Sequence, residues 1–106
     1  MMTNDNKPRY SIEEIRQKVV PVAKKYGVKR LSLFGSYARG EADSKSDVDF
    51  LFDSGNGKVR SMLSYFSFVH ALEYELKCHV DAISYGISDK KFLSEIQKDE
   101  VLLYAE

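Results

Sequence analysis

The chain has 106 residues, and its 16 basic and 16 acidic side chains cancel to a formal net charge of zero. That length predicts one domain with a single modest core, and the charge balance argues against tight binding to a nucleic-acid backbone, which requires clustered Lys and Arg. No apolar run reaches the ~20 residues that a membrane span needs. The polar N-terminus also lacks the apolar core of a signal peptide. We therefore expect a cytoplasmic protein that does not associate with a membrane.

The N-terminal part of the chain predicts a helix that follows a flexible segment, residues 1–9. Ser11 and Glu14 form a capping-box pattern, and apolar residues recur at helical spacing after it. Gly27 is a natural stop for this helix, and Pro21 is expected to kink it.

Three short apolar segments predict β-strands, at residues 31–34, 48–52 and 80–84. Between the last two, residues 58–77 predict an amphipathic helix. Its apolar stripe, which is expected to face the core, consists of Val59, Met62, Leu63, Phe66, Val69 and Leu76. A last helix at residues 89–98 precedes a short edge strand at residues 101–104. Strands that alternate with helices indicate an α/β or mixed-sheet, α+β, domain.

Two aspartates at the start of the second predicted strand require an explanation, because acidic residues are poor strand formers. Residues two apart in a strand share a face, so Asp47 and Asp49 point the same way. Two carboxylates about 5 Å apart repel by ~3 kcal/mol at an effective dielectric of 20, and a divalent cation such as Mg²⁺ removes that cost. Asp81, in the third predicted strand, would complete a two-metal site. The alternative explanation for the aspartates is a solvated acidic face without a metal. Asp53, further along the strand, is expected to begin the next turn.

A Gly-Ser pair directly follows the first predicted strand. Gly35 lets the backbone approach a ligand closely because it has no Cβ, and Ser36 is expected to cap a short helix and to offer its hydroxyl to a phosphate oxygen. Arg39 is a candidate for neutralising phosphate charge. Taken singly, an ordinary strand-to-helix turn and a solvated arginine explain these residues equally well.

The combination is more specific than its parts: LFGSYARG at residues 33–40, a ten-residue spacer, SDVD at residues 46–49 and VD at residues 80–81. On these motifs the chain resembles the nucleotidyltransferase superfamily, and more narrowly the minimal nucleotidyltransferases, the MNT-type antitoxins encoded beside HEPN-domain toxins. The resemblance implies the nucleotidyltransferase fold, a short mixed sheet backed by helices, in a single domain over residues 1–106.

The resemblance also implies a reaction, the transfer of AMP from ATP to a tyrosine hydroxyl of a cognate HEPN ribonuclease toxin, with release of pyrophosphate. It implies that Asp47 and Asp49 hold the Mg²⁺ ion that bridges the triphosphate. Asp49 and Asp81 would hold a second Mg²⁺ ion, and Asp81 is alternatively a candidate general base. Gly35 and Ser36 would anchor the β- and γ-phosphates.

Two other functions stay open at this point. One is a non-catalytic antitoxin that masks its toxin by binding, and the other is a small-molecule nucleotidyltransferase, which usually needs an additional substrate-binding region. RNA tailing is disfavoured because the balanced charge offers no track for a polynucleotide.

The remaining chemistry-bearing residues are expected to be structural. A single cysteine, Cys78, fits a reducing cytoplasm and is expected to be a small buried hydrophobe. Neither His70 nor His79 shows a metal-ligand spacing with a nearby cysteine or acid, so both are expected to be ordinary packed or surface histidines.

Overall fold

The computed structural model describes residues 7–55, 59, 61–86 and 89–106. In chain order its elements are α1 (Ile12–Lys25), β1 (Arg30–Phe34), α2 (Gly35–Arg39), β2 (Val48–Asp53), α3 (Met62–Leu76), β3 (Val80–Ser84), α4 (Lys90–Gln97) and β4 (Val101–Ala105). Each helix and strand that the sequence predicts is therefore present. The flexibility of residues 1–9 stays a prediction, since residues 1–6 lie outside the described part.

The four strands form one mixed sheet in the order β3-β2-β1-β4. β1 is antiparallel to both of its neighbours, whereas β2 is parallel to β3. Parallel strands need a crossover connection, and α3 supplies it. This is the α+β architecture with a mixed sheet that the sequence predicts.

Among the described residues, no helix has the length and apolar character needed to cross a bilayer.

α1 begins and ends where its sequence signals lie. The Ser11 hydroxyl accepts a hydrogen bond from the Glu14 N–H at 3.1 Å, and the Glu14 carboxylate accepts one from the Ser11 N–H at 2.8 Å. The helix continues through Pro21 to Lys25, and Gly27 ends it in the left-handed region with φ 67°. The predicted capping box and stop signal are thus confirmed.

The core lies between the sheet and the two long helices, α1 and α3, which pack against each other. Its fully buried side chains include Ile15, Val19, Leu31, Leu33, Val48, Phe50, Phe52, Phe68, Leu72 and Leu76. Cys78 is free and partly buried against this core, and burial raises the pKa of its thiol. It is a packing residue, as the sequence predicts.

α3 buries a different face from the one predicted. Three members of the expected stripe are at least half exposed, namely Met62 (71%), Leu63 (80%) and Phe66 (52%). Val59 and Leu76 are buried, and Val69 is partly buried. Phe68 defines the buried side instead, and its ring meets that of Phe52 edge-on with 5.2 Å between centroids. The prediction was wrong because apolar residues occupy most of the circumference of this helix, so their spacing does not select one side.

The start of α3 also differs from the prediction. Residue 58, the predicted start, lies outside the described residues, and the helix begins at Met62. Ser61 caps it, because its hydroxyl accepts a hydrogen bond from the Ser64 N–H at 3.1 Å. The Ser-x-x-Ser pattern is a weaker cap signal than Ser-x-x-Glu, which explains why the boundary was placed too early.

β2 sends alternate residues to the two faces of the sheet. Val48, Phe50 and Phe52 are buried in the core, as predicted. The residue between the first two, Asp49, therefore points to the other face. Asp53 accepts a hydrogen bond from the Gly55 N–H at 2.9 Å and begins the predicted turn, whose next residues, 56–58, lie outside the described part.

Candidate active site

The candidate site lies where β1 ends and where β2 and β3 begin. The sheet register pairs Asp49 with Phe34 on β1 and with Asp81 on β3. Paired residues on neighbouring strands project from the same face, so the carboxylates of residues 49 and 81 lie side by side on the face away from the core. Asp47, two residues before Asp49, joins them there. The expected convergence of three carboxylates is therefore present.

Gly35 lies directly against the carboxylate of Asp49. It has φ 75°, in the left-handed region that side chains disfavour. A Cβ at this position would lie well inside 3.0 Å of Asp49 Oδ2 and 3.2 Å from Asp49 Cγ. Both the backbone conformation and the lack of space require glycine at the start of α2.

Ser36 is the second residue of α2 and not its cap. The N-cap is Phe34, and no described side chain donates or accepts a capping hydrogen bond there. The expectation that Ser36 caps this helix is wrong, because the helix begins one residue earlier, at Gly35. The first N–H groups of α2, next to Asp49, are consequently left for solvent or an anionic ligand.

The pKa of the Asp49 carboxyl is raised from 3.8 to about 6. Partial burial is the largest cause, because it disfavours the charged form. The negative charges of Asp81 and Asp47 and a hydrogen bond with Asp81 raise it further, whereas Arg39 lowers it. A divalent cation would relieve this crowding of carboxylates.

Arg39 is close to the site and already has acidic partners. Its Nε donates a hydrogen bond to Glu41 Oε1 at 2.8 Å, and its Nη1 lies 3.9 Å from Asp99 Oδ2. The hydrogen bond with Glu41 is the largest cause of its raised pKa. The side chain is 43% exposed, so it can exchange a carboxylate for a phosphate oxygen without unpacking.

His79 is the site residue that the sequence reasoning missed. Its Nε2 lies 3.3 Å from Asp81 Oδ1, and its Nδ1 lies 3.4 Å from Glu73 Oε2. Ligand atoms of Asp47, His79 and Asp81 all lie within 4.8 Å of one another. His79 is exposed, as expected of a surface histidine, but the expectation that it has no metal-ligand arrangement with a nearby acid does not match this geometry.

A signal for His79 was present in the sequence. HVD at residues 79–81 has the same two-residue spacing as DVD at residues 47–49. Because β2 and β3 are parallel and pair Asp49 with Asp81, the residues two positions earlier also become neighbours. The pairing of β2 with β3 shows that residues 47 and 79 are neighbours, and the spacing of residues within each motif does not. The other histidine, His70, is exposed on α3 and does not belong to the cluster.

The donor set fits a divalent cation. Carboxylate oxygens are the protein ligands that Mg²⁺ prefers, together with phosphate oxygens of a substrate. The cluster is exposed to solvent, so a nucleotide can reach it. A mixed sheet with a glycine-serine helix start beside paired aspartates is the arrangement of a nucleotidyltransferase.

Comparison with known proteins agrees with this class. The profile of the family described as "Polymerase beta, Nucleotidyltransferase" matches residues 17–106. The chain belongs to this family and is a nucleotidyltransferase, which confirms the resemblance seen in its motifs. A Methanocaldococcus jannaschii protein named "Putative protein adenylyltransferase" is 44% identical over 76 residues, which cover 72% of this chain and 80% of that protein.

Two solved structures share the fold. One, described as a toxin-antitoxin with AMP-PNP, has a TM-score of 0.75 at 16% identity, covering 86% of this chain and 73% of that chain. The other, described as a tri-AMPylated Shewanella oneidensis HEPN toxin in complex with MNT antitoxin, has a TM-score of 0.69 at 14% identity, covering 89% of this chain and 72% of that chain. At these identities the likeness shows the fold alone.

Proposed function

We propose that this protein is a cytoplasmic antitoxin that transfers AMP from ATP to a tyrosine hydroxyl of a cognate HEPN ribonuclease toxin, and so neutralises the toxin. The observation that carries the proposal is the convergence of Asp47, Asp49 and Asp81 beside Gly35. The relative named as a protein adenylyltransferase and the similarly folded complex with an AMPylated HEPN toxin support the reaction and the partner.

In this proposal Asp47 and Asp49 would hold one Mg²⁺ ion, and Asp49 and Asp81 would hold a second. Bound Mg²⁺ neutralises the triphosphate and lowers the pKa of the acceptor hydroxyl. The raised pKa of Asp49 supports this role, because partial burial, and next the negative charges of Asp81 and Asp47, disfavour an ionised carboxylate, and a bound cation would offset both effects. Asp81 is also the candidate acceptor of the hydroxyl proton, since its side chain is 56% exposed and accessible to a substrate.

The start of α2 would bind the nucleotide. The N–H groups that follow Phe34 and the hydroxyl of Ser36 hold the β- and γ-phosphates, and Arg39 adds positive charge. The acceptor oxygen then forms a bond to the α-phosphorus, and the bond from that phosphorus to the bridging oxygen of the β-phosphate breaks. Pyrophosphate leaves, and the hydroxyl proton passes to a base or to solvent. Positioning and charge neutralisation supply most of the catalysis in such transfers.

The surroundings of the site favour a protein acceptor. Asp47, His79 and Asp81 are all exposed, so the site is open to a side chain presented by another molecule. Apart from the site itself, large apolar side chains on α3 are exposed, and a partner protein would bury them.

The test uses ATP labelled on the α-phosphate, Mg²⁺ and the protein encoded by the adjacent gene. We expect label on a tyrosine of that partner with wild-type protein. We expect loss of at least about 10²-fold in rate for a double variant, Asp47→Asn with Asp49→Asn, whose circular dichroism stays native. Glu13→Gln, which removes an exposed carboxylate from the opposite side of the sheet, is the matched control and should transfer normally. Near-normal transfer by the double variant, or label only from the γ-phosphate, would contradict the proposal.

The exposed apolar face of α3 also favours a second candidate, an antitoxin that acts by masking its toxin. The same double variant separates the two functions. If it neutralises the toxin in cells as well as wild type does, at equal expression, binding is sufficient. If it fails while still forming the complex, catalysis is required.

A further inference from the structure

We propose that Nε2 of His79, with carboxylate oxygens of Asp47 and Asp81, binds a divalent cation in an arrangement distinct from the two Asp49-containing pairs described above, and that this nitrogen ligand favours a first-row transition-metal ion over Mg²⁺. The inference rests on the proposed function only in placing a metal at these carboxylates. It adds to that proposal a metal ligand other than the three aspartates and a preference for one class of metal ion.

The distances suit shared coordination. The Nε2 atom of His79 and the Oδ1 atom of Asp81 are 3.3 Å apart, and an oxygen of Asp47 completes a group within 4.8 Å. Neighbouring ligand atoms around one ion, each about 2.1 Å from it, lie about 3 Å apart. The His79 and Asp81 atoms are thus already near the spacing of two ligands on a single ion.

Glu73 lies where its carboxylate can orient the imidazole for ligation. Glu73 Oε2 lies 3.4 Å from Nδ1 of His79, and it also accepts a hydrogen bond from the Val80 N–H at 3.2 Å. That backbone hydrogen bond ties the carboxylate to the start of β3. With its proton on Nδ1, directed at Glu73, the imidazole presents the Nε2 lone pair to the aspartates. Metal-binding histidines are usually oriented by a carboxylate in this way.

The ligand chemistry gives the selectivity. Mg²⁺ takes oxygen ligands and keeps several of its waters, whereas imidazole binds first-row transition metals increasingly well from Mn²⁺ towards Cu²⁺. Asp49 contacts Asp81 on the other side and supplies only oxygen. The group formed by Asp47, His79 and Asp81 therefore offers a nitrogen ligand, whereas Asp49 offers only oxygen. The competing explanation is that His79 is only an ion-pair partner of Glu73 and Asp81.

Pulsed EPR of bound Mn²⁺ distinguishes these explanations, because it detects a coordinated ¹⁴N nucleus directly. The protein has two histidines, so His70→Ala is the matched control for His79→Ala. We expect a ¹⁴N coupling in wild type and in His70→Ala, and its loss in His79→Ala. If wild type binds no Mn²⁺, or binds it without that coupling, or if His79→Ala retains the coupling, the inference is wrong.

Calorimetry with Co²⁺ and Mg²⁺ separately tests the preference. For His79→Ala we expect Co²⁺ affinity to fall about 10-fold or more and Mg²⁺ affinity to change less than about 3-fold. Glu73→Gln should weaken Co²⁺ in the same direction, since it perturbs the orientation of the ring. Equal losses for both metals in His79→Ala would show that the residue acts through charge or folding and would overturn the inference.

AMP transfer with Mg²⁺ is measured on the same preparations, so that the two proposals fail separately. Nitrogen ligation without any AMP transfer would contradict the proposed function and leave the metal ligand in place. Transfer without nitrogen ligation would contradict only the role of His79.

Discussion

The backbone of Gly35 and the carboxylate of Asp49 are in contact, and a Cβ on residue 35 would be 3.2 Å from Cγ of Asp49 and nearer still to Oδ2. The antiparallel pairing of β1 with β2 creates this contact, because it places Phe34 opposite Asp49. The glycine-serine motif and the paired aspartates are therefore two halves of one site.

Gly35→Ala is expected to abolish AMP transfer. The added methyl group must displace the Asp49 carboxylate, and a displacement of about 1 Å at a catalytic group costs about 10²-fold in rate. Gly40→Ala is the matched control, since Gly40 has φ 74° but no non-neighbouring atom of the described residues lies within 4 Å of the added Cβ.

Both alanines strain a left-handed backbone and should lower the free energy of unfolding by about 1–2 kcal/mol. Only Gly35→Ala should lose activity. Comparable transfer rates for the two variants would show that the contact with Asp49 has no catalytic importance. Urea titrations and initial rates provide both measurements.

The raised pKa of Asp49 predicts a pH-dependent stability in metal-free protein. The folded state binds this proton more tightly than the unfolded chain does, so the contribution to stability is fully present below about pH 3.8 and is lost as the pH rises through about 6. Asp49→Asn cannot ionise. Its Tm should match wild type near pH 4 and exceed it by a few degrees at pH 7.5. A Tm difference between wild type and Asp49→Asn that stays constant from pH 4 to pH 8 would contradict the raised pKa of Asp49.

Metal binding should reduce that Tm difference. A cation that binds the ionised Asp49 carboxylate stabilises the folded state by mass action. Adding Mg²⁺ at pH 7.5 should therefore raise the Tm of wild type more than that of Asp49→Asn. The same addition at pH 4.5, where the carboxyl group is largely protonated, should have little effect on either protein.

The ion pair between Arg39 and Glu41 predicts opposite effects of their substitution on ATP binding. Arg39→Ala should raise the KM for ATP several-fold, because it removes a phosphate contact. Glu41→Gln should lower the KM, because it releases the guanidinium from its 2.8 Å partner. Both residues are exposed, so neither change should measurably alter the free energy of unfolding. Unchanged KM values in both variants would exclude Arg39 from nucleotide binding.

The orientation of α3 predicts unequal effects of two neighbouring phenylalanines. Phe68 is fully buried against Phe52, so Phe68→Ala should cost about 3–5 kcal/mol of unfolding free energy. Phe66 is 52% exposed, so Phe66→Ala should cost less than about 1 kcal/mol. Urea denaturation of the two variants checks this. The reverse order would mean that the stripe predicted from the sequence faces the core.

Local signals explain why the sequence predicts the elements well. A capping box at Ser11, a glycine stop at Gly27 and the placement of Val48, Phe50 and Phe52 on the core face each involve neighbours within a few residues. Such interactions form independently of the rest of the chain. For the same reason Asp47 and Asp49, at the start of β2, could be assigned to one face from their spacing alone.

The order of the helices and strands, the Gly-Ser and Asp-x-Asp motifs and, through these motifs, the family can be read from the sequence. The strand order in the sheet, the buried face of α3, the contact of Gly35 with Asp49 and the place of His79 in the cluster required the folded structure. The physical reason is that these features depend on which distant segments pair. Parallel pairing of β2 with β3 makes residues 47 and 79 neighbours, and neither residue carries that information locally.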